Sequence, residues 1–201
     1  MLYVKKYCCL LLLFAWHHCI AQVKNDSVFQ SSVLCSARLF DITTHKMTSV
    51  PLDDHSGKLR LFVFLSPECP LCQNYTRTIN ILNKQYAGRI QCYGIIPGKT
   101  YKREDVKAFA EKYKIIYPVL IDGSLGLSHY LQAAVTPEVI LLTPGNELIY
   151  KGAIDNWLKD LGKPQAKISA NYLQDAIAHA LNHDSPAIKR TKAVGCLIND
   201  F

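Results

Sequence analysis

The sequence predicts an α/β fold, a central mixed sheet flanked by helices, and three observations carry that expectation. The run from Leu59 to Leu65 is continuous rather than alternating, as a strand covered on both faces requires. Beyond it Leu71, Tyr75, Ile79, Leu82 and Tyr86 recur at spacings of four, four, three and four, which traces one stripe of a helix. Strand-like and helix-like stretches then alternate and end in two successive strands, an order that builds a sheet closed by a hairpin. A length of 201 residues with 49% hydrophobic content suits one domain with a substantial core.

Taken in order, residues 1–21 read as an export signal. Lys5 and Lys6 precede an apolar stretch from Cys8 to Trp16, and Cys19-Ile20-Ala21 offers a small-x-small site for cleavage after Ala21. The apolar stretch is too short for a stable membrane-spanning helix, so the expected product is periplasmic or secreted, with an uncleaved anchor as the competing reading. Trp16, His17 and His18 are too bulky and polar for a lipoprotein cleavage box at Cys19. The remaining chain, 22–201, is expected to be a single domain with its core over about 33–182 and a tail over 183–201.

Within that domain, Val33 to Thr44 has strand-like composition and forms an expected N-terminal extension of the sheet, broken by Pro51 and Gly57. The strand Leu59 to Leu65 follows, then the helix, which ends near Gly88. "RIQCYGIIPG" reads as strand and turn, and "REDVKAFAEKYK" as a helix with Val106, Phe109 and Tyr113 on one side. Strands are expected at "YPVLI", "EVILL" and "ELIYKGAI", with a short helix around "LGLSHYL" and a tight turn at "PGNE". A polar loop, "NWLKDLGKPQAKIS", leads to a last helix carrying Tyr172, Leu173, Ala176, Ile177, Ala180 and Leu181 inward, with Ser169 as its expected cap. The tail has no periodicity, and the chain has no internal repeat.

The formal charge of +7 includes Lys5 and Lys6, so removal of the signal leaves +5, scattered rather than clustered. Such a distribution favours a solvated surface over a nucleic-acid footprint. "GIIPGKT" has three residues between Gly94 and Gly98 where a phosphate loop requires four, and reads as a turn after a strand. No cofactor-binding pattern is present.

The chemistry is carried by "SPECPLCQNY", residues 66–75. Signal removal leaves Cys35, Cys69, Cys72, Cys92 and Cys196 in a compartment where disulfides form, an odd number that leaves at least one thiol for exchange or external pairing. Cys69 opens the helix, where unpaired N–H groups and the helix dipole stabilise a thiolate, so Cys69 is the expected attacking sulfur. Cys72, one turn deeper on the same face, is placed to resolve a mixed disulfide, and Pro70 suits the first turn because it has no N–H to leave unpaired. Zinc uses the same C-x-x-C spacing, but residues 22–201 hold no second such pair. A structural disulfide over so short a loop would restrain the unfolded chain little. Cys92, inside a strand, reads as a small buried hydrophobe, as does Cys35.

"LRLFVFLSPECPLCQNY" followed by "AAVTPEVILLTPGNELIYKGAIDN" resembles exported thioredoxin-like redoxins of the alkyl hydroperoxide reductase and thiol-specific antioxidant superfamily, over roughly residues 33–182. That resemblance implies a thioredoxin-like fold and thiol-disulfide exchange with protein or small-molecule thiols and disulfides. It also implies a cis-proline loop facing the cysteines, with Thr136-Pro137 in that position. The implied role of Pro137 is to keep the cysteines from binding metal and to offer backbone to a partner's strand. Departures are visible. Glu68 stands where thioredoxins commonly have an aromatic residue, and its charge opposes a thiolate at Cys69. Leu71 cannot donate to a thiolate as the histidine of the periplasmic oxidase motif does, and Val63 falls where an acid is commonly buried.

The peroxidase branch of the superfamily places a threonine before its reactive cysteine and an arginine later, whereas Thr76 and Arg77 follow both cysteines here, so peroxidase activity ranks below dithiol exchange. A copper-binding module of the same fold is the alternative from another class, with His129 beside Cys69 and Cys72 as its candidate ligand set. Cys196, in "AVGCLI", is a candidate third redox cysteine. Oligomeric state and direction of electron flow leave no sequence signature.

Overall fold

The protein is described by a computed structural model over residues 28–49 and 57–198. The expected export signal, the break at Pro51 and the side chain of Cys35 lie outside the described residues. The described elements in chain order are helix α1 (Ser31–Ser36), strands β1 (Leu39–Asp41), β2 (Lys46–Thr48) and β3 (Leu59–Phe64), helix α2 (Pro70–Gln85) and strand β4 (Ile90–Pro97). Helix α3 (Arg103–Lys112), strand β5 (Val119–Asp122), helix α4 (Gly126–Tyr130) and strands β6 (Val135–Thr136), β7 (Glu138–Leu142) and β8 (Leu148–Gly152) follow. The chain ends in strands β9 (Leu158–Asp160) and β10 (Lys163–Pro164), helix α5 (Tyr172–Leu181) and strand β11 (Cys196–Leu197).

Seven strands form one mixed sheet in the order β2-β1-β5-β4-β3-β7-β8. β3 lies parallel to β4, with Leu61 opposite Cys92, and antiparallel to β7, with Phe64 opposite Glu138. The continuous apolar run is explained by its neighbours on both sides. Leu61 and Val63 join a core with Cys72, Tyr75, Ile79 and Leu82 of α2 and Leu173, Ala176 and Ile177 of α5. Phe62 and Phe64 face the opposite core, with Leu34 of α1 and Leu127 of α4. Arg60, the one charged residue of the strand, is buried and donates to the carbonyls of Thr143 at 3.3 Å and Pro144 at 2.7 Å.

The order of strands and helices matches the sequence expectation through the βαβ unit and the β7–β8 hairpin. Three local readings are corrected. Residues 33–36, expected to begin a strand, belong to helix α1, and the strand that extends the sheet starts at Leu39. Leu34 is fully buried in the second core, so packing of one apolar side chain overrides the β-leaning composition of this stretch. The polar loop contains a small hairpin of β9 and β10. Ser169 does not cap α5: Asn171 precedes the helix, and the Ser169 hydroxyl accepts from the Asn156 amide at 2.8 Å.

The tail is not a free end. The Lys151 N–H donates to the Lys189 carbonyl and the Thr191 N–H to the Lys151 carbonyl, both at 3.0 Å. The Thr191 hydroxyl accepts from the Ala153 N–H at 2.9 Å and meets the Tyr150 hydroxyl, which donates to the Ala153 carbonyl. Gly152 makes this possible, since its φ is +143° and a Cβ there would sit 2.3 Å from the Thr191 carbonyl oxygen. Gly152→Ala is therefore expected to release the tail at a cost of about 1–3 kcal/mol. Hydrogen exchange should show lost protection at Thr191 with β3 and α2 unchanged; retained protection at Thr191 would contradict the docking.

Candidate active site

The C-terminal end of β3 delivers the chain to Ser66 and Pro67, and Cys69 becomes the N-cap of α2 with φ −76° and ψ 114°. Pro70 occupies the first helical position, as its missing N–H allows. The Thr136–Pro137 peptide bond is cis, and it places the Thr136 carbonyl oxygen 3.4 Å from the Cys69 sulfur, where the neutral thiol donates to it. The two segments meet because β3 and β7 are paired and antiparallel: the end of one strand lies beside the start of the other. Cys69 is 2% exposed and Cys72 fully buried.

A third sulfur completes the cluster. β11 pairs antiparallel with β6, setting Cys196 opposite Thr136 and Leu197 opposite Val135. The Cys196 thiol lies 3.2 Å from the Cys69 sulfur and donates to it. Gly195 permits the approach: a Cβ there would sit 2.2 Å from the Thr136 carbonyl oxygen. Leu65, Ser66, Glu68, Pro97, Tyr101 and Ile198 complete the walls of a groove of about 320 Å³ that runs over Cys69 and Cys196.

The three sulfurs have unequal acidities. Hydrogen bonding from the Cys72 side chain, aided by backbone N–H groups at the start of α2 and by the Cys196 thiol, overcomes burial and lowers the Cys69 pKa to about 5. Burial, and then the hydrogen bond to Cys69 and its charge, push the Cys72 thiol far above the ordinary thiol range, although the Ser66 N–H donates to its sulfur at 3.3 Å. Cys196 is raised to about 11, again by desolvation first and by Cys69 second. The arrangement therefore holds one thiolate and keeps two further thiols protonated beside it. The groups acting on Cys69 are those at the helix start and in the tail, while Glu68 is an exposed residue of the groove wall.

Cys69, Cys72, Thr136, Pro137 and Cys196 thus converge, and His129 does not join them. His129 lines a separate cavity with Tyr130 and Lys151. Among the described residues no group of three or more His, Cys, Asp or Glu side chains is arranged to hold a metal ion. Cys92 is buried in β4, where desolvation alone raises its thiol, in keeping with a small core residue. Thr76 is buried with its hydroxyl donating to the Gln73 carbonyl at 2.7 Å, and Arg77 is exposed, so neither faces the Cys69 groove.

Sequence reasoning missed several residues of the site. Tyr101, whose hydroxyl lies 2.8 Å from that of Ser66, sits in a turn with no motif to mark it. Glu138 is buried directly after the cis-proline and accepts from the Ala134 N–H at 2.8 Å. Gly195 had a signal available, since a glycine beside a candidate redox cysteine marks a close backbone approach.

The sequence pattern of the AhpC/TSA family matches residues 33–151, more than half of the chain. No curated protein matches the sequence significantly. Among solved structures, an uncharacterized conserved protein from Geobacillus kaustophilus superposes with a TM-score of 0.70 at 19% identity, over 82% of this chain and 88% of that one. A hypothetical protein from Sinorhizobium meliloti gives 0.67 at 21% identity, over 81% and 91%. A secreted Mycobacterium tuberculosis disulfide oxidoreductase, described as homologous to E. coli DsbE, gives 0.55 at 14% identity, over 74% and 98%. At these identities the likenesses establish the thioredoxin-like fold. The matching family pattern, carried on that fold, establishes that this chain belongs to the AhpC/TSA family of redoxins.

Proposed function

We propose that this redoxin is an exported thiol-disulfide oxidoreductase whose centre is the Cys69–Pro70–Leu71–Cys72 segment. One observation carries the reading: a single thiolate stands at the start of α2, beside the carbonyl that precedes the cis-proline. Cys69 attacks a partner's disulfide and forms a mixed disulfide, releasing the partner's other sulfur as a thiolate. Once its sulfur is bonded, the negative charge that helps hold Cys72 protonated is gone. Cys72 then loses its proton to the departing sulfur and displaces it from Cys69, leaving the Cys69–Cys72 disulfide. Two electrons pass to the partner, and the partner's two sulfurs leave reduced. Run backwards, the same steps oxidise a dithiol.

Pro137 shapes the groove by fixing the Thr136 carbonyl against Cys69, and Glu68 forms part of the wall a partner meets. The partners this suits are protein or small-molecule thiols and disulfides. Export is supported by the charged and apolar pattern of residues 1–21. No helix among the described residues is long and apolar enough to cross a membrane. The solved relative from Mycobacterium tuberculosis, a secreted disulfide oxidoreductase by its description, is consistent with the same chemistry on this fold.

Cys69→Ser is expected to reduce insulin-disulfide cleavage to the uncatalysed rate; a variant with full activity would remove the mechanism. The acidity of Cys69 gives a second test. Because its pKa is lowered to about 5, the thiolate is lost only as pH falls through that value. Alkylation of the reduced protein by iodoacetamide should rise through pH 5 and be level by neutral pH, whereas an ordinary cysteine reaches half its limiting rate near about 8.5. A midpoint at the ordinary value would show that the helix start and its thiol neighbours do not hold the charge.

A further inference from the structure

We propose that Cys196 is a third redox cysteine that inserts a step before Cys72: it attacks the Cys69 sulfur of the mixed disulfide, forming a Cys69–Cys196 bridge that Cys72 then opens in place of displacing the partner directly. The proposal rests on Cys69 being the attacking sulfur. Four observations carry it. The tail strand β11 holds Cys196 directly opposite Thr136, the residue whose carbonyl faces Cys69. The two sulfurs are 3.2 Å apart, so they need to close by little more than 1 Å to reach the bonded separation of about 2.05 Å. Gly195 lies so close to the Thr136 carbonyl that no side chain fits, which makes the approach a built contact rather than a chance one. Unlike Cys69 and Cys72, Cys196 is exposed.

The tail also occupies the backbone edge of β6 next to the cis-proline, so it covers Cys69 as a partner's strand would. A partner's sulfur reaches Cys69 when the tail lifts, and return of the tail brings Cys196 onto the new mixed disulfide while competing for the same edge. The steps balance. Cys69 thiolate attacks a partner disulfide R–S–S–R′, forming Cys69–S–S–R and releasing R′S⁻. Cys196 gives its proton to the leaving RS⁻ and bonds to the Cys69 sulfur, so RSH departs. Cys72 bonds to Cys69 in turn, and its proton goes to the released Cys196 sulfur. The product is the Cys69–Cys72 disulfide with Cys196 again a thiol, and two electrons have passed to the partner disulfide, which is the oxidant.

The order of the two resolving cysteines follows from burial. Bonding of Cys69 removes the charge that raises both thiols, but Cys72 remains wholly buried while Cys196 lies at the surface of the groove. The exposed thiol ionises at less cost and attacks first. The structural alternative is that Cys196 is a packed free thiol with no part in exchange.

Three variants separate these readings, each reduced, mixed with oxidised glutathione, quenched in acid and mapped by mass spectrometry. Cys72→Ser should carry a Cys69–Cys196 disulfide and little glutathione. The double variant Cys72→Ser/Cys196→Ser should hold glutathione on Cys69 as its main product. Cys72→Ser/Gly195→Val keeps the third thiol but forces the tail off the Thr136 carbonyl, and it should hold glutathione as well. Equal glutathione retention by Cys72→Ser and Cys72→Ser/Cys196→Ser would overturn the role of Cys196. Absence of any adduct in Cys72→Ser/Cys196→Ser would overturn the oxidoreductase reading beneath it, and both would fall together.

Discussion

The site depends on the register in which β7 runs against β3. With Phe64 opposite Glu138 and Arg60 opposite Leu142, the chain leaves β3 toward Cys69 at the same end of the sheet where it enters β7 from Pro137. Strand side chains alternate with a period of two, so a slip of one residue would turn Phe62 and Phe64 out of their core and carry the cis-proline away from the cysteine. The loop before Pro137 is held by charge as well. The buried Glu138 carboxylate accepts from the Ala134 N–H, and the Lys151 ammonium donates to the carbonyls of Leu131 and Gln132. Burial lowers the Lys151 pKa, and the Glu138 charge partly offsets that effect. That loop is thereby fixed at one place to β7, through Glu138, and at another to β8, through Lys151.

On this frame the protein concentrates one negative charge on one of three sulfurs. Desolvation alone would raise all three thiols, as it does for Cys92 in β4. Cys69 escapes because the Cys72 thiol points its proton at it, aided by the N–H groups without helical partners at the N-cap of α2 and by the Cys196 thiol. The same hydrogen bonds work in the opposite direction on the donors, which lose a favourable contact if they ionise. Acidity at Cys69 and resistance to ionisation at its neighbours are one set of interactions seen from two sides. A negative charge at Glu68 alters this little, because that residue is exposed to water, which screens it.

What the sequence made legible was whatever repeats or sits in a local pattern. The buried run of β3, the stripe of α2 and the cysteine spacing are read within one turn or strand, and all three are present as expected. Thr136 and Pro137 were placed through resemblance; composition alone marks Pro137 only as the start of a strand. Helix α1 escaped because six residues are too few for a helical period, and its burial is set by a core assembled from distant elements. Glu138 and Tyr101 escaped for a related reason: each acts through a contact fixed by tertiary structure, with no periodic neighbour to announce it.

The tail is the sharpest case. Residues 183–198 hold few side chains of the main cores, which is why no periodicity marks them. Their position is set by backbone pairing at two places, along Lys151 and along β6, and each place needs a glycine to let two backbones come close. A segment held this way has many exposed hydrogen bonds and little buried apolar area, so it belongs to the part of a protein that opens at low cost. That suits its location. Without the tail, the edge of β6 would be a two-residue strip of unpaired backbone next to the thiolate, the kind of edge that invites pairing with another chain. A firmly packed cover would close the site to partners, and an uncovered edge would leave it open to unselective association. A tail anchored by Thr191 and Gly152 and held lightly over Cys69 satisfies both demands with the same short strand.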